Sequence, residues 1–199
     1  YAWTAPVGIT LSSATAQKLA ANQIEVRDTT FLHTFGVLVG ASGTAAVMDN
    51  STQIEQGISD FNNGKIDKDT YVAIDQISLE YAGAAAAYAP KTKVFSPFIY
   101  DITGTAIVPA AVLNGRFILY ANNKPIIELP VSDMMVKGRE YQGAEQVKEL
   151  GTPKIIPADT QIKAEIVLAK NEAVTGTATH THHFRVSFRG AGTFATPGN

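Results

Sequence analysis

The chain contains no cysteine among its 199 residues. This absence excludes disulfide bonds, thiolate catalysis and zinc sites built from thiolates. Charged residues make up only 17% of the sequence and the net charge is −2. Lys and Arg are scattered singly, which argues against extensive direct contact with nucleic acid, because no basic run can neutralise a phosphate backbone. No apolar run reaches about 18 residues, so no stretch of the sequence is a candidate membrane-spanning helix.

Apolar residues make up 45% of the chain, and many of them alternate with polar residues as in β-strands. The clearest case is the stretch that follows Asn114-Gly115, a pair that predicts a hairpin turn because both residues accept positive φ. Arg116–Ala121 then reads as a strand with Phe117 and Leu119 on one face. Asn122-Asn123 predicts a second reversal, followed by a return strand over Ile126–Val131.

The remaining elements follow from periodicity and from breaker residues. Further strands are expected at Gln23–Arg27, Phe31–Val39, Tyr71–Tyr81, Lys93–Thr103, Thr160–Ala169 and His183–Thr193. Within Tyr71–Tyr81, the alternation places Asp75 on the same face as Ile77 and Leu79. Short helices are predicted over Ala14–Ala21 and over Thr52–Asn62, the second ending at Asn63-Gly64. The Ala/Gly-rich stretch Ala82–Ala89 reads as a link, and Ser132–Pro157 as a long loop with one helical turn at Gly143–Leu150.

About eight strands joined by loops, rather than by regular helices, favour a mostly β chain over a parallel α/β sheet. The unequal spacing, with one tight ribbon and several long crossings, predicts an antiparallel β-sandwich of jelly-roll type with one to three short helices. We expect an N-terminal arm over residues 1–22 and a single jelly-roll-like domain over residues 23–199.

Two segments have some features of metal sites. Asp60–Asp69 is rich in Asp and Asn, but Gly64 does not fall where a calcium loop needs its sharp turn, so a solvated turn is favoured. His180-Thr-His-His183 places two imidazoles two residues apart, as metal ligands sometimes are. Metal-binding jelly rolls of the cupin family follow such a pair with a Glu a few residues later, whereas Phe184–Gly190 contains no carboxylate. A loop with exposed histidines at 180, 182 and 183 is therefore the favoured interpretation.

No motif for nucleophilic catalysis occurs, since the sequence lacks G-x-S-x-G. Several aromatic residues could form a sugar-binding face, although core packing explains them equally well: Tyr71, Tyr81, Tyr88, Phe95, Tyr100 and Tyr120. We therefore assign no catalytic, cofactor-binding or metal-binding residue and expect a protein that is not an enzyme.

The chain resembles the jelly-roll coat proteins of tailless icosahedral viruses. The resemblance is carried by the strand at Ile74–Tyr81, the ribbon at Gly115–Pro130 and the last two strands, at Thr160–Ala169 and His183–Phe194. The likeness covers Val72–Phe194 and rests on strand patterns. It implies a structural subunit of a virion that assembles with copies of itself and with other shell proteins, without a small-molecule substrate. The absence of a basic arm suits a shell separated from the genome by a membrane or another layer.

Two other functions remain open. The chain could be a secreted or surface β-sandwich module that binds carbohydrate or acts as an adhesin, or a jelly-roll metalloenzyme that uses His180, His182 and His183. If it is a coat subunit, contacts between subunits are expected from the arm Tyr1–Asn22 and from the loops Ala82–Lys93 and Ser132–Pro157.

Overall fold

The computed structural model describes residues 13–21, 23–66, 70–86, 108–135 and 147–195. Within these residues, eight strands form two four-stranded antiparallel sheets, which confirms the mostly β prediction. The strands are β1 (Ile24–Leu38), β2 (Thr44–Met48), β3 (Val72–Ala86), β4 (Arg116–Ala121), β5 (Lys124–Pro130), β6 (Lys148–Ile156), β7 (Ile162–Val167) and β8 (His180–Ala195). The helices are α1 (Ser13–Ala20), α2 (Ala110–Leu113) and α3 (Val131–Met134). None of these helices has the length and apolar character needed to cross a membrane.

Sheet A has the strand order β1-β8-β3-β6, and sheet B has the order β2-β7-β4-β5. β1 and β2 are the edge strands on one side of the sandwich, and β6 and β5 are the edge strands of their sheets on the other. The longest strands, β1, β3 and β8, lie side by side in sheet A.

The core lies between the two sheets, as the alternation in β4 and β8 predicts. Phe184, Val186 and Phe188 of β8 are fully buried, and so are Phe117 and Leu119 of β4. The rings of Phe117 and Phe188 are 6.3 Å apart and join the two sheets. Burial of each such side chain stabilises the fold by roughly 1.5–3 kcal/mol, so the period-two pattern of these strands supplies much of the driving force for packing.

Only one of the two predicted turns around β4 is a hairpin turn. Asn122 and Asn123 have φ values of 48° and 62° and connect β4 to β5 in a tight reversal, as predicted. The hairpin predicted at Asn114-Gly115 is wrong, because Asn114 has a φ of −86° and ends α2. The carbonyl of Pro109, immediately before α2, accepts from the Val112 and Leu113 N–H groups at 3.0 Å, and the Asn114 N–H donates to the Ala110 carbonyl at 2.9 Å, so these bonds form a helical turn in place of the hairpin.

The helix predicted over Thr52–Asn62 is also wrong, because this segment follows the edge of β1 instead. The Thr34 N–H donates to the Ile58 carbonyl at 2.7 Å, and the Asp60 N–H donates to the Leu32 carbonyl at 3.0 Å. These bonds satisfy backbone groups of an edge strand that would otherwise lack partners. Asn63-Gly64, predicted as a helix stop, forms the tight turn between Asn62 and Lys65 with φ values of 52° and 58°.

Sheet A strands are longer than the sequence pattern indicates. β1 is continuous through both predicted strands, and β3 extends to Ala86 through the stretch predicted as a link. The pairing of β3 shifts between Ile74 and Gln76, so Asp75 is exposed and does not share the buried face of Ile77. A bulge of this kind reverses the alternation, and a strict period of two cannot predict it.

The region Ser132–Pro157, predicted as a loop, contains the edge strand β6. The helical turn predicted at Gly143–Leu150 is wrong in its last three residues, which belong to β6. β6 contains Pro153, which is tolerated because the strand lies at the edge of sheet A. The strand predicted at Lys93–Thr103 lies outside the described residues.

Candidate functional site

The three histidines at the start of β8 do not form a loop. His180 is the first residue of β8, and His182 and His183 are only 5% and 8% exposed. The prediction of exposed histidines is therefore wrong for these two, because β8 begins earlier than expected and includes them. Since His182 and His183 are consecutive in a strand, their side chains point to opposite faces of sheet A and do not converge on one ion.

Both ring nitrogens of His182 are engaged in hydrogen bonds. Nε2 lies 2.9 Å from the Thr175 carbonyl oxygen, and Nδ1 lies 2.7 Å from the Tyr81 hydroxyl. A carbonyl only accepts, so we infer that Nε2 carries the proton and that Nδ1 accepts from the hydroxyl. Burial lowers the pKa of His182, which keeps this neutral form. A ring engaged in this way has no lone pair left for a metal ion.

Elsewhere in the described residues, no group of three or more metal-ligating side chains lies close enough to hold a metal ion. The calcium-like segment uses its first carboxylate in another way, since Asp60 Oδ2 accepts from the Leu32 N–H at 2.8 Å. Lys65 lies in the same turn, and its Nζ is 3.1 Å from an Asp159 carboxylate oxygen. Residues 67–69, which would complete such a loop, lie outside the described residues.

A third buried histidine, His33 of β1, was not singled out from the sequence. Its Nε2 lies 2.8 Å from the Val47 carbonyl of β2, and its Nδ1 lies 3.0 Å from Ser59 Oγ. By the same reasoning Nε2 donates and Nδ1 accepts, and burial lowers the pKa of the ring. The available signal was the alternation Phe31, His33, Phe35, Val37, which places this residue on the inner face of β1.

The pair Ser59 and His33 does not have the geometry of a nucleophile and its base. Ser59 is only 2% exposed, and its Oγ also accepts from the Phe61 N–H at 3.2 Å. The hydroxyl therefore holds residues 58–61 against β1 and is not presented to a substrate.

Aromatic rings connect His33 to His182 across the inner face of sheet A. In what we call the aromatic row, ring centroids are 6.4 Å apart for His33 and Phe35, 5.5 Å for Phe35 and Phe184, 5.0 Å for Phe184 and Tyr81, and 5.9 Å for Tyr81 and His182. The row runs from β1 through Phe184 of β8 to Tyr81 of β3, and returns to β8 at His182. Contacts at these distances stabilise beyond simple burial, so the row belongs to the core.

The tyrosines of the candidate sugar-binding face lie in different parts of the molecule. Tyr81 belongs to the aromatic row, where burial raises the pKa of its hydroxyl to about 12. Tyr120 lies in sheet B, where its hydroxyl donates to Glu165 at 2.8 Å. Tyr71 precedes β3 in sheet A, and its N–H donates to Thr193 Oγ1 at 2.8 Å. Tyr88, Phe95 and Tyr100 lie outside the described residues.

An open cleft of about 820 Å³ lies between the edge strands β1 and β2, beside residues 51–59. Its described lining combines apolar and polar side chains: Phe35, Val47, Met48, Ile58, His33, Asp49, Ser51 and Thr52 among others. Hydrogen bonds from the Ser51 hydroxyl and N–H lower the pKa of Asp49, so this carboxylate stays ionised. The volume suits a bound ligand or a peptide segment.

No protein-family model matches the chain, and no curated protein matches it.

Proposed function

We propose that the two sheets form a jelly roll and that the chain is a self-assembling coat subunit of a virion. The pairing of strands supports the jelly roll. β1 pairs with β8, β2 with β7, β3 with β6 and β4 with β5, which is the pattern of one long hairpin folded back on itself. The contacts β3·β8 and β4·β7 then join alternate pairs into two sheets, as expected when such a hairpin rolls up.

The jelly-roll architecture serves viral coats, lectin domains and cupins, so the choice among them depends on the sites that the chain carries. A cupin-type metal centre is disfavoured by the hydrogen bonds of His182 and by the opposite orientations of His182 and His183. A lectin-type face is disfavoured by the separation of Tyr71, Tyr81 and Tyr120.

The charges of the described surface favour a subunit that is covered by neighbours. Ion pairs join Arg27 to Glu25, Lys65 to Asp159, Arg116 to Glu128, Lys148 to Asp133 and Lys163 to Glu165. Charges that are already paired within one subunit are less costly to bury than isolated ones. The low charge content and the abundance of Ala, Gly and Thr act in the same direction.

The proposed partners are copies of the chain and other shell proteins. We propose no extensive contact with nucleic acid and place a membrane or another layer between the shell and the genome. Virion localisation follows from this function.

Electron microscopy of the purified full chain, together with sedimentation velocity, tests the proposal. We expect closed particles of uniform size. A stable monomer would contradict the coat function, and binding of that monomer on a glycan array would support a carbohydrate-binding module instead. Strong ultraviolet cross-linking of assembled particles to nucleic acid would contradict the separated shell.

Removal of the N-terminal arm, residues 1–22, tests whether this arm makes contacts between subunits. A chain lacking residues 1–22 should keep its sheet content by circular dichroism but lose particles. A chain lacking residues 196–199 is the matched truncation and should assemble normally. Equal assembly of both truncated chains would contradict a role for the arm.

A further inference from the structure

The outer edge of β2 carries backbone groups that no neighbouring strand uses. The Leu168 N–H donates to the Gly43 carbonyl at 2.8 Å, so the backbone groups of Gly43 face β7. Because successive residues of a strand direct their backbone groups to alternate sides, Thr44 and Ala46 direct theirs away from β7. Both residues are exposed, and no residue in the described part of the chain bonds to these outward groups.

The other edge strands of the two sheets are protected against pairing with a further strand. β5 contains Pro125 and Pro130, and β6 contains Pro153. A proline has no N–H to donate to an added strand. The edge of β1 is partly covered by its bonds to residues 58–60. β2 contains neither proline nor charge, so among these edges it is the most open to a strand from another chain.

The cleft beside this edge has an acidic lining. Asp49 and Glu55 line it, and none of the described residues around it is a lysine or an arginine. Bonds from the Ser51 hydroxyl and N–H lower the pKa of Asp49, which is therefore ionised. Lys163 of β7 also favours this ionised form, but its own charge is offset by a Glu165 carboxylate oxygen 2.6 Å from Nζ. The cleft therefore favours a cation over an anion.

The side chains that a ligand can reach in the cleft are small or polar. Phe35, Val47 and Met48 line it but are buried in the core. Ser51 and Gln53 are exposed. A ligand therefore meets hydroxyl and amide groups and the backbone of β2.

We propose that β2 accepts an extended basic segment of a partner protein, which adds a fifth strand to sheet B and places a lysine or an arginine beside Asp49 and Glu55. Main-chain bonds to Thr44 and Ala46 hold the segment, and the carboxylates select its charge. A second copy of the chain offers no such segment at its described edges, because these contain proline or are already covered. The proposal goes beyond the coat function and does not require self-assembly.

Calorimetric titration of the natural full-length chain with synthetic peptides tests the proposal. The probe is the peptide Thr-Val-Lys-Val-Thr, blocked at both ends so that its lysine carries the only charge, and the matched control is Thr-Val-Glu-Val-Thr. We expect the lysine peptide to bind about tenfold more tightly than the glutamate peptide. The lysine peptide with N-methyl groups on its internal residues cannot donate to β2, and its affinity should fall by at least about tenfold.

Substitutions in the chain separate the contribution of the charge from that of the backbone. Asp49→Asn should weaken binding of the lysine peptide by about fivefold. Asp28→Asn, at an exposed position of β1 outside the cleft, should leave the affinity unchanged. Ala46→Pro removes an outward N–H and should abolish binding, whereas Ala46→Ser keeps this N–H and should bind normally. Circular dichroism checks that each variant keeps its sheets.

Equal affinity for the lysine and glutamate peptides would overturn the proposal. Undiminished binding of the N-methylated peptide, or equally strong binding of spermidine, would show that the cleft recognises charge without an added strand, and would also overturn it. Regular particles that bind no peptide would overturn the proposal and leave the coat function standing. Peptide binding by a chain that stays monomeric would support the proposal and contradict the coat function.

Discussion

His33 and His182 make the same pair of hydrogen bonds at opposite ends of the aromatic row. Each ring donates from Nε2 to a backbone carbonyl and accepts at Nδ1 from a hydroxyl. The bonds of His33 are buried and connect β1 to β2, and therefore sheet A to sheet B. The bonds of His182 are only partly buried and hold Thr175, in the segment before β8, against sheet A. The same pair of histidine hydrogen bonds therefore has two structural roles. At His33 it joins the two sheets, and at His182 it fixes the segment that precedes β8.

Replacing each histidine by leucine should sharpen this contrast most. His33→Leu leaves the Val47 carbonyl and the Ser59 hydroxyl without the partner of a buried hydrogen bond, and we expect a loss of about 3 kcal/mol in the free energy of unfolding. His182→Leu should cost about 1–2 kcal/mol, because water can reach the Thr175 carbonyl. Urea denaturation measures both values, and equal losses would mean that the two settings are equivalent.

Glycines beside each site give a second, smaller test. A Cβ on Gly176 would lie 2.8 Å from Val39 Cγ2 and 3.0 Å from His182 Nε2, so Gly176→Ala should displace this segment and cost about 2 kcal/mol. A Cβ on Gly57 would meet no atom within 4 Å, and with a φ of 75° the cost of Gly57→Ala should be backbone strain of about 1 kcal/mol. Ring resonances in NMR spectra should shift for His182 in the first variant and stay unchanged for His33 in the second. A shift of the His33 signals would show that residues 55–59 are less independent than the structure indicates.

Removing the hydroxyl partner of each histidine should also cost more stability at His33 than at His182. Ser59→Ala removes the donor to His33 and the acceptor of the Phe61 N–H, with an expected loss of about 1.5 kcal/mol. Tyr81→Phe removes only the donor to His182 and keeps the ring in the aromatic row, so about 1 kcal/mol is expected. Thermal unfolding of the two variants checks the order, and a larger loss for Tyr81→Phe would contradict it.

The smallest expected effect is on the pH dependence of stability, compared between the natural chain and the His33→Leu and His182→Leu variants. The pKa values of His33 and His182 are lowered by burial, so between the folded-state and unfolded-state pKa values the unfolded chain binds more protons. Their contribution to stability is complete above the unfolded value of about 6.5 and is lost as the pH falls below it. Urea midpoints measured from pH 8 to pH 5 should therefore fall in the natural chain. Each leucine variant should fall less steeply than the natural chain, and unchanged slopes would contradict the neutral buried rings.

Sequence patterns predicted the strands whose period is regular and failed where tertiary contacts change the local preference. Phe117, Leu119 and Phe184 were placed correctly because each strand buries one face. Asn114-Gly115 and Asn63-Gly64 are the same dipeptide, yet only the second forms a tight turn. The difference comes from Pro109, which starts a helical turn, and from the free edge of β1, which draws residues 58–60 into an extended path. His33 was missed because an isolated polar residue in an apolar strand gives no signal of its distant partners on β2 and at Ser59.

The position of β8 between β1 and β3 has a consequence for the order of folding. Ile24 pairs with Ala195, so the first and last described strands close the sheet together. During synthesis, β1 and β3 leave the ribosome long before the strand that separates them, and contacts so distant along the chain form slowly. Sheet A should therefore remain incomplete until β8 has left the ribosome, and nascent chains that lack β8 should be the form of this protein most in need of chaperones.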